Sequence, residues 1–523
     1  MVEFMAAARP TTDRGGRYFE QADRRRRVLA RAWALVAFAA GLVYVLWAFR
    51  AVNPAYPVLG GLFLFAEVCC LGLFVITTIG VWQLRFKPLE GLPLTRPLSI
   101  DIFVPVCGEP EEMIRRTLEA LRAVRWTGEK RVYVLDDGPS EAVRTLASRL
   151  GFTYLSRHDA GQGRVHAKAG NLNFGLASSA GEFVLVMDAD QVAEPQILEA
   201  LAGYMRFERV AFVQSQQAFV VPRGDPFFNN DRVFYEALQL GLDGGDRVIS
   251  CGSGVLYRPA ALESVGGFAT WNLVEDLTTS YNLHAAGWKS FYYPHPLSLG
   301  TSPLDVWGVY RQRGQWALDT LRLFFWDNPL FKTGLDWFGR ASYLIVGLAY
   351  LCAAFVFPFF FVVPLWTYLT GENVLYRHEL EFAFYRGVYF VCMAAAMHYL
   401  FRGRQAGKQF QVLTGLFPVY ARGALLALVH PSGRVPEYRP NNRRGPRPTR
   451  PGWLAVLPQL VLLLGNALLP FYAILEGRIP ARLIAANIGI SALAIWSLLP
   501  VVLAACHTSA RTVDERETVP DAA

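Results

Sequence analysis

At 523 residues, 53% of them hydrophobic and with a mean hydropathy of +0.24, the chain is too apolar for an ordinary soluble protein. The formal net charge of +8 could suit a polyanion, but Arg24–Arg27, Arg31, Arg402, Arg404, Lys408, Arg434, Arg439, Arg443, Arg444, Arg447 and Arg450 all flank apolar runs. Loops retained on the cytoplasmic side carry charge in that way, so no nucleic-acid partner is expected. The seven cysteines are scattered without a C-x-x-C pair and imply neither a disulfide framework nor a zinc site.

Residues 1–27 read as a basic cytoplasmic N-terminus, and its arginines ahead of a long apolar run argue against a cleavable signal peptide. Ala32–Phe49 and Pro57–Trp82, joined by the turn Ala51–Tyr56, place two transmembrane helices within 28–84. Glu67 falls inside the second, either as a functional group or as a helix–helix hydrogen-bonding partner. From 97 to 300 strands and helices alternate, which predicts a cytoplasmic α/β domain on a parallel, doubly wound sheet. Its elements are the strands Ile100–Val106, Arg131–Leu135, Phe152–Leu155, Glu182–Met187 and Val210–Gln214, and the helices Glu109–Val124, Ser140–Leu150 and Ala167–Ser178. Interfacial helices follow at 303–338, with Leu304–Phe325 the main one. Residues 341–402 hold two more transmembrane helices. The first, Ala341–Leu369 with Pro358 and Pro364, is one long kinked span or two half-length helices; the second is Phe382–Leu400. Residues 403–452 hold an interfacial helix, Phe410–Val429, and a Pro/Arg/Asn-rich loop. Trp453–Leu475 and Leu483–Ala505 complete about six spans within 453–505, and 506–523 is a cytoplasmic tail. An even number of spans and the arginine bias agree on a multi-pass protein of the inner or plasma membrane, with the α/β domain and both termini cytoplasmic.

Carboxylates recur where strands should end: Asp136-Asp137-Gly138 and Asp188-Ala189-Asp190. In open α/β sheets ligands bind beyond the carboxyl ends of the strands. Two hard oxygen donors one residue apart suit Mg²⁺ or Mn²⁺ on a diphosphate, although D-x-D alone also occurs as a solvated turn. Glu275-Asp276 is either an acid pair favoured by a helix N-terminus or the source of a general base. Lys168 in a first helical turn is unfavourable for a cation, which points to a phosphate or nucleotide role beside the plainer reading of a helix lysine. Trp316, on an aromatic-rich interfacial helix, suits a membrane anchor.

In chain order, Asp136-Asp137-Gly138, His166-Ala-Lys168-Ala-Gly170-Asn171, Asp188-Ala-Asp190, Phe212-Val-Gln214, Cys251-Gly252-Ser253, Glu275-Asp276 and Gln312-x-x-x-Trp316 resemble the bacterial cellulose synthase catalytic subunit. More broadly the chain is similar to the processive family 2 glycosyltransferases, including curdlan, hyaluronan and chitin synthases. The resemblance implies a GT-A-like fold between membrane spans. Asp137, Lys168 and Asp188 would bind the donor nucleotide, Asp188 and Asp190 the metal, and Asp276 would be the general base. Cys251, Gly252, Ser253, Gln312 and Trp316 would meet the acceptor. The implied partners are a UDP-sugar donor, a growing glycan, the lipid bilayer and accessory export subunits. The implied reaction is inverting polymerisation from UDP-glucose into a β-linked glucan passed across the membrane. The alternatives are a non-processive transferase acting on a membrane lipid and a non-catalytic export partner.

Three departures stand out. Gln315 occupies the position of the family's arginine, and Arg311, four residues earlier on the same helical face, is the candidate replacement near the diphosphate. The counterpart of the threonine-bearing gating loop, Val435-Pro-Glu-Tyr-Arg-Pro440, has no threonine. The chain ends soon after the sixth span, so in-cis regulation by a cyclic-di-GMP-binding domain is not expected.

Overall fold

The computed structural model describes residues 15–82, 96–221, 224–376, 379–403, 405–436, 451–477 and 479–511. Two apolar helices, α1 (Gly15–Ala51) and α2 (Pro57–Gly80), precede the α/β domain. Its strands are β1 (Ile100–Val106), β2 (Lys130–Asp136), β3 (Thr153–Leu155), β4 (Phe183–Val186), β5 (Val192–Ala193), β6 (Val210–Val220), β7 (Val255–Tyr257) and β8 (Lys289–Thr301). Helices α3 (Glu111–Arg122), α4 (Glu141–Arg149), α5 (Ala167–Ala177), α6 (Ile197–Leu201), α7 (Gln239–Gly244), α8 (Pro259–Glu263) and α9 (Glu275–Ala285) connect them. Ser140 starts α4 as sequence chemistry dictates, its hydroxyl accepting from Val143 N at 3.4 Å.

The eight strands lie in the order β3-β2-β1-β4-β7-β6-β8-β5. Alternation along β1 sends Ile102 and Val104 into one apolar layer with Ile114, Leu118 and Leu185, and Phe103 into the other with Leu135, Leu172 and Phe212. The sheet is mixed, which corrects the expectation of a wholly parallel one. β3, β2, β1 and β4 run parallel, as do β6 and β8, but β7 is antiparallel to both β4 and β6, and β5 is antiparallel to β8. The three residues of β7 are too few to show a period, and they follow a reversal at Gly252 and Gly254, both with positive φ. In β8, Pro294 and Pro296 argue against a strand, yet register shifts opposite Ser215–Gln217 of β6 accommodate them.

After the sheet come α10 (Val306–Trp326), α11 (Trp337–Leu351), a π-helical turn at Cys352–Val356, α12 (Phe357–Thr370) and α13 (Glu379–Leu400). They are followed by α14 (Ala406–Gly415), α15 (Phe417–Val429), a 3₁₀ turn at Gly452–Val456, α16 (Leu457–Glu476) and α17 (Ala481–Arg511). Among the described residues six helical segments are long and apolar enough to cross a membrane, and 337–370 is one of them rather than two half-helices. The helix expected at Phe410–Val429 is instead two, bent by 60°. Pro418 in the first turn of α15 cannot donate back into α14, so the ladder stops at Leu416. Glu67 accepts a 2.8 Å hydrogen bond from Tyr44 of α1 and pairs with Arg386 of α13, which makes it a clasp among three apolar helices. Val435–Pro440 lies mostly outside the described residues.

Candidate active site

The site forms where β2 and β4 end and the turns before α5, β7 and α9 meet. His166 and Ala167 both adopt positive φ (66° and 44°), a costly conformation for residues with a Cβ, and this entry turns Lys168 inward. Its ammonium lies 2.7 Å from Asp188 Oδ1 and 3.1 Å from Glu275 Oε1, and donates to Gly252 O at 3.0 Å. Burial alone pulls a lysine down, but the charges of Asp188 and Glu275 outweigh it and hold the group protonated, its pKa well above the ordinary value.

Asp276 completes the ring. A methyl group at position 252 would lie 2.7 Å from Asp276 Oδ2 and 3.0 Å from Lys168 Nζ, so glycine is what lets the three meet. Burial first, and then the neighbouring charge of Glu275, push the Asp276 carboxyl above the ordinary range, against the pull of Lys168. Asp190 is pushed up to about 7 by burial and by the charges of Asp188 and Glu109, while Thr301 donates to it at 3.2 Å.

The turn Cys251-Gly252-Ser253 is held from beneath. Gln214 accepts from Cys251 N at 2.7 Å and donates to Ser253 O at 2.8 Å, and Gln217 donates to Ser253 O at 2.9 Å. Ser253 Oγ accepts from Asp188 N at 2.9 Å, so this buried side chain fixes the Asp188 backbone. Burial pushes the Cys251 thiol far up, which leaves it inert.

Asp137 is placed differently from the other acids. Its carboxylate accepts from both Nε (2.8 Å) and Nη2 of the buried Arg157. Arg157 also donates to Val165 O at 2.6 Å and Ala167 O at 3.1 Å. Asp137 thus positions the segment that delivers Lys168. Nothing in the sequence around Ser156-Arg157-His158 distinguishes that arginine from a surface loop residue, and the sequence reading missed it.

Gln312, Gln315 and Trp316 lie on α10. Arg313, paired with Asp231 at 2.8 Å, stacks over the Trp316 ring at 4.9 Å. Gln315 donates to Asp319 Oδ2 at 2.8 Å, and the same oxygen accepts from Val274 N at 3.0 Å, two residues before Asp276. Gln315 therefore reaches the acid turn through Asp319, and Arg311 is exposed.

Among the described residues no three His, Cys, Asp or Glu side chains cluster into a protein-only metal cage. Asp188 and Asp190 still fit a hard divalent cation whose remaining positions are filled by phosphate oxygens and water, the usual arrangement for Mg²⁺. The upward push on Asp190 is the kind that an added cation relieves.

Residues 183–403 match the family described as glycosyl transferase family group 2. The chain carries a family 2 glycosyltransferase domain. The chain is 31% identical over 347 residues to cellulose synthase 1 of Komagataeibacter xylinus, covering 62% of this chain and 22% of that protein. It is 32% identical over 289 residues to the UDP-forming cellulose synthase catalytic subunit of Xanthomonas axonopodis pv. citri, covering 52% and 39%. The chain thus spans less than half the length of these relatives. A mannosyltransferase from Pyrobaculum calidifontis in complex with GDP-Man and Mn²⁺ superposes with a TM-score of 0.49 at 17% identity, covering 70% of this chain and 99% of that one.

Two outcomes follow for the glycosyltransferase domain. Gly252→Ala sets a Cβ against Asp276 and Lys168 at a φ of +73°. Transfer is expected to fall by roughly 100-fold, as misplacement near 1 Å does, and circular dichroism should show the fold retained. Arg157→Met strands the buried Asp137 carboxylate, at a cost of about 3 kcal/mol. The thermal midpoint in detergent should drop by roughly 6–12 °C.

Proposed function

We propose that the protein is a membrane-embedded, inverting glycosyltransferase that polymerises sugar from a UDP-sugar, with UDP-glucose as donor, into a β-linked polysaccharide and passes it across the membrane from a cytoplasmic catalytic domain. The observation that carries this reading is the convergence of Lys168, Asp188, Glu275 and Asp276 around one point. The acid turn there is hydrogen-bonded to α10, which packs Leu318 and Leu321 against Ala424 and Ala427 of α15.

Attack of an acceptor hydroxyl on the anomeric carbon needs one proton removed and one diphosphate released. Asp276, its carboxyl raised toward neutrality, takes the hydroxyl proton. The bond electrons leave with the nucleotide diphosphate, and a single displacement inverts the anomeric centre, giving a β-linkage. Lys168 keeps Asp188 and Glu275 from repelling the anionic donor, and Asp137 acts through Arg157 to hold Lys168 in place. Asp188 and Asp190 would hold Mg²⁺ or Mn²⁺, which supplies Lewis-acid stabilisation of the departing diphosphate. The half-buried Trp316, one face covered by Arg313, offers its other face to an acceptor sugar. Accessory export subunits would receive the product.

The test is incubation of the purified protein in lipid with Mg²⁺ or Mn²⁺ and single radiolabelled UDP-sugars, followed by sizing and linkage-specific digestion. High-molecular-weight β-glucan is expected. Label on lipid alone would replace polymerisation by single-sugar transfer, and no incorporation would leave a non-catalytic export partner.

Asp276→Asn should lower kcat by roughly 10²- to 10⁴-fold. Because the folded enzyme favours protonated Asp276, the base is idle at low pH and active above its raised pKa. The acid limb of kcat/KM in the wild-type enzyme should therefore lie well above the ordinary aspartate value near 3.9.

A further inference from the structure

Arg322 on α10 has no exposed surface, although it is the longest charged side chain type and lies on a helix that faces other helices. A guanidinium has five N–H donors, and all five are used. Nη1 donates to Trp271 O at 2.9 Å and to Asn272 Oδ1 at 2.7 Å. Nε donates to His430 O at 2.9 Å, and Nη2 to Pro431 O at 3.1 Å and Arg434 O at 3.2 Å. Two donors thus hold the turn that presents Glu275 and Asp276, and three hold the segment that leaves α15 toward the fifth apolar helix.

The neighbours extend both grips. Asp319, 3.6 Å away, supplies the counter-charge and accepts from Val274 N. Asn272 Nδ2 donates to Asp319 O at 3.1 Å and to Thr278 Oγ1 at 3.0 Å, inside the first turns of α9. Trp326 donates to Ala427 O at 2.8 Å, fixing α10 against the end of α15. A plain helix C-cap would need only the carbonyls near 430, and would leave no reason to reach Trp271 and Asn272.

We propose that Arg322 is a positioning residue that locks the turn 271–276 to segment 430–434, so that the chain leaving α15 and the candidate base move as one body. The consequence for turnover rests on the transferase reading above; the mechanical coupling does not. Lysine cannot substitute, because three donors on a point charge cannot bridge five acceptors set in a planar fork.

The experiment uses the full chain in lipid nanodiscs, with hydrogen–deuterium exchange read by mass spectrometry and donor kinetics measured alongside. In Arg322→Lys, peptides covering 271–278 and 428–436 should both exchange faster, by roughly tenfold or more, as charge-assisted hydrogen bonds are lost. A second variant inserts two glycines between Ser432 and Gly433, away from the acids. It should speed exchange at 271–278 in the wild-type background and add little in Arg322→Lys, the non-additivity expected of one shared contact. On the kinetic side kcat should fall about tenfold with donor KM changed less than about threefold, the signature of a displaced base rather than a lost binding contact. Faster exchange in only one peptide, or an insertion without effect at 271–278, overturns the coupling, and should Arg322→Lys fail to fold the insertion alone decides it. Coupled exchange in a protein that transfers no sugar would keep the lock and remove the transferase reading.

Discussion

One ammonium group balances the site. Lys168 lies within 3.1 Å of two carboxylates that come from distant parts of the chain, and its third donor goes to the backbone of the Cys251–Ser253 turn. Without that positive charge, Asp188, Glu275 and Asp276 would repel one another in a half-buried space where repulsion is weakly screened. Other features can be read as arrangements that deliver Lys168: the buried Asp137–Arg157 pair, the left-handed backbone at His166 and Ala167, and the glycine at 252 that leaves room for it. The pocket is thus organised around one cation that offsets part of the charge of three carboxylates.

The same balance ties the soluble and apolar parts together. The acid turn gains its shape partly from α9 and partly from α10, through Asp319, Asn272 and Arg322. Because α10 packs on α15, and α15 leads into 430–434, the geometry at Asp276 depends on residues 154–158 positions further along the chain. The acid turn and the segment leaving α15 thus share one set of hydrogen bonds.

Much of this was legible from residue order. Apolar length marked the long apolar helices among the described residues, and the apolar run Ile100–Val106 reads as a strand, which packs one face on α3 and the other on α5. The acids at strand ends were visible since charge at the close of an apolar run is rare without a reason. What escaped notice lacked a local signal. Arg157, Arg322 and Asp319 look like ordinary loop or helix charges, and only the folded chain shows that they are buried and hydrogen-bonded to distant segments. Gln315 is the instructive case: its residue type flagged a departure, but its partner is the carboxylate one helical turn on, so its effect on the site is indirect. β7 was hidden by brevity and β8 by its prolines, so the sheet appeared parallel when it is mixed.

The lock at Arg322 also sets an order of events during synthesis. His430 lies 108 residues after Arg322 in the chain. At roughly 5–20 residues per second, the ribosome needs on the order of 5–20 s to make the carbonyls that this guanidinium requires. For that interval the nascent chain holds a finished sheet but an unfastened acid turn. The acid turn is therefore fastened late, only after α15 has been made.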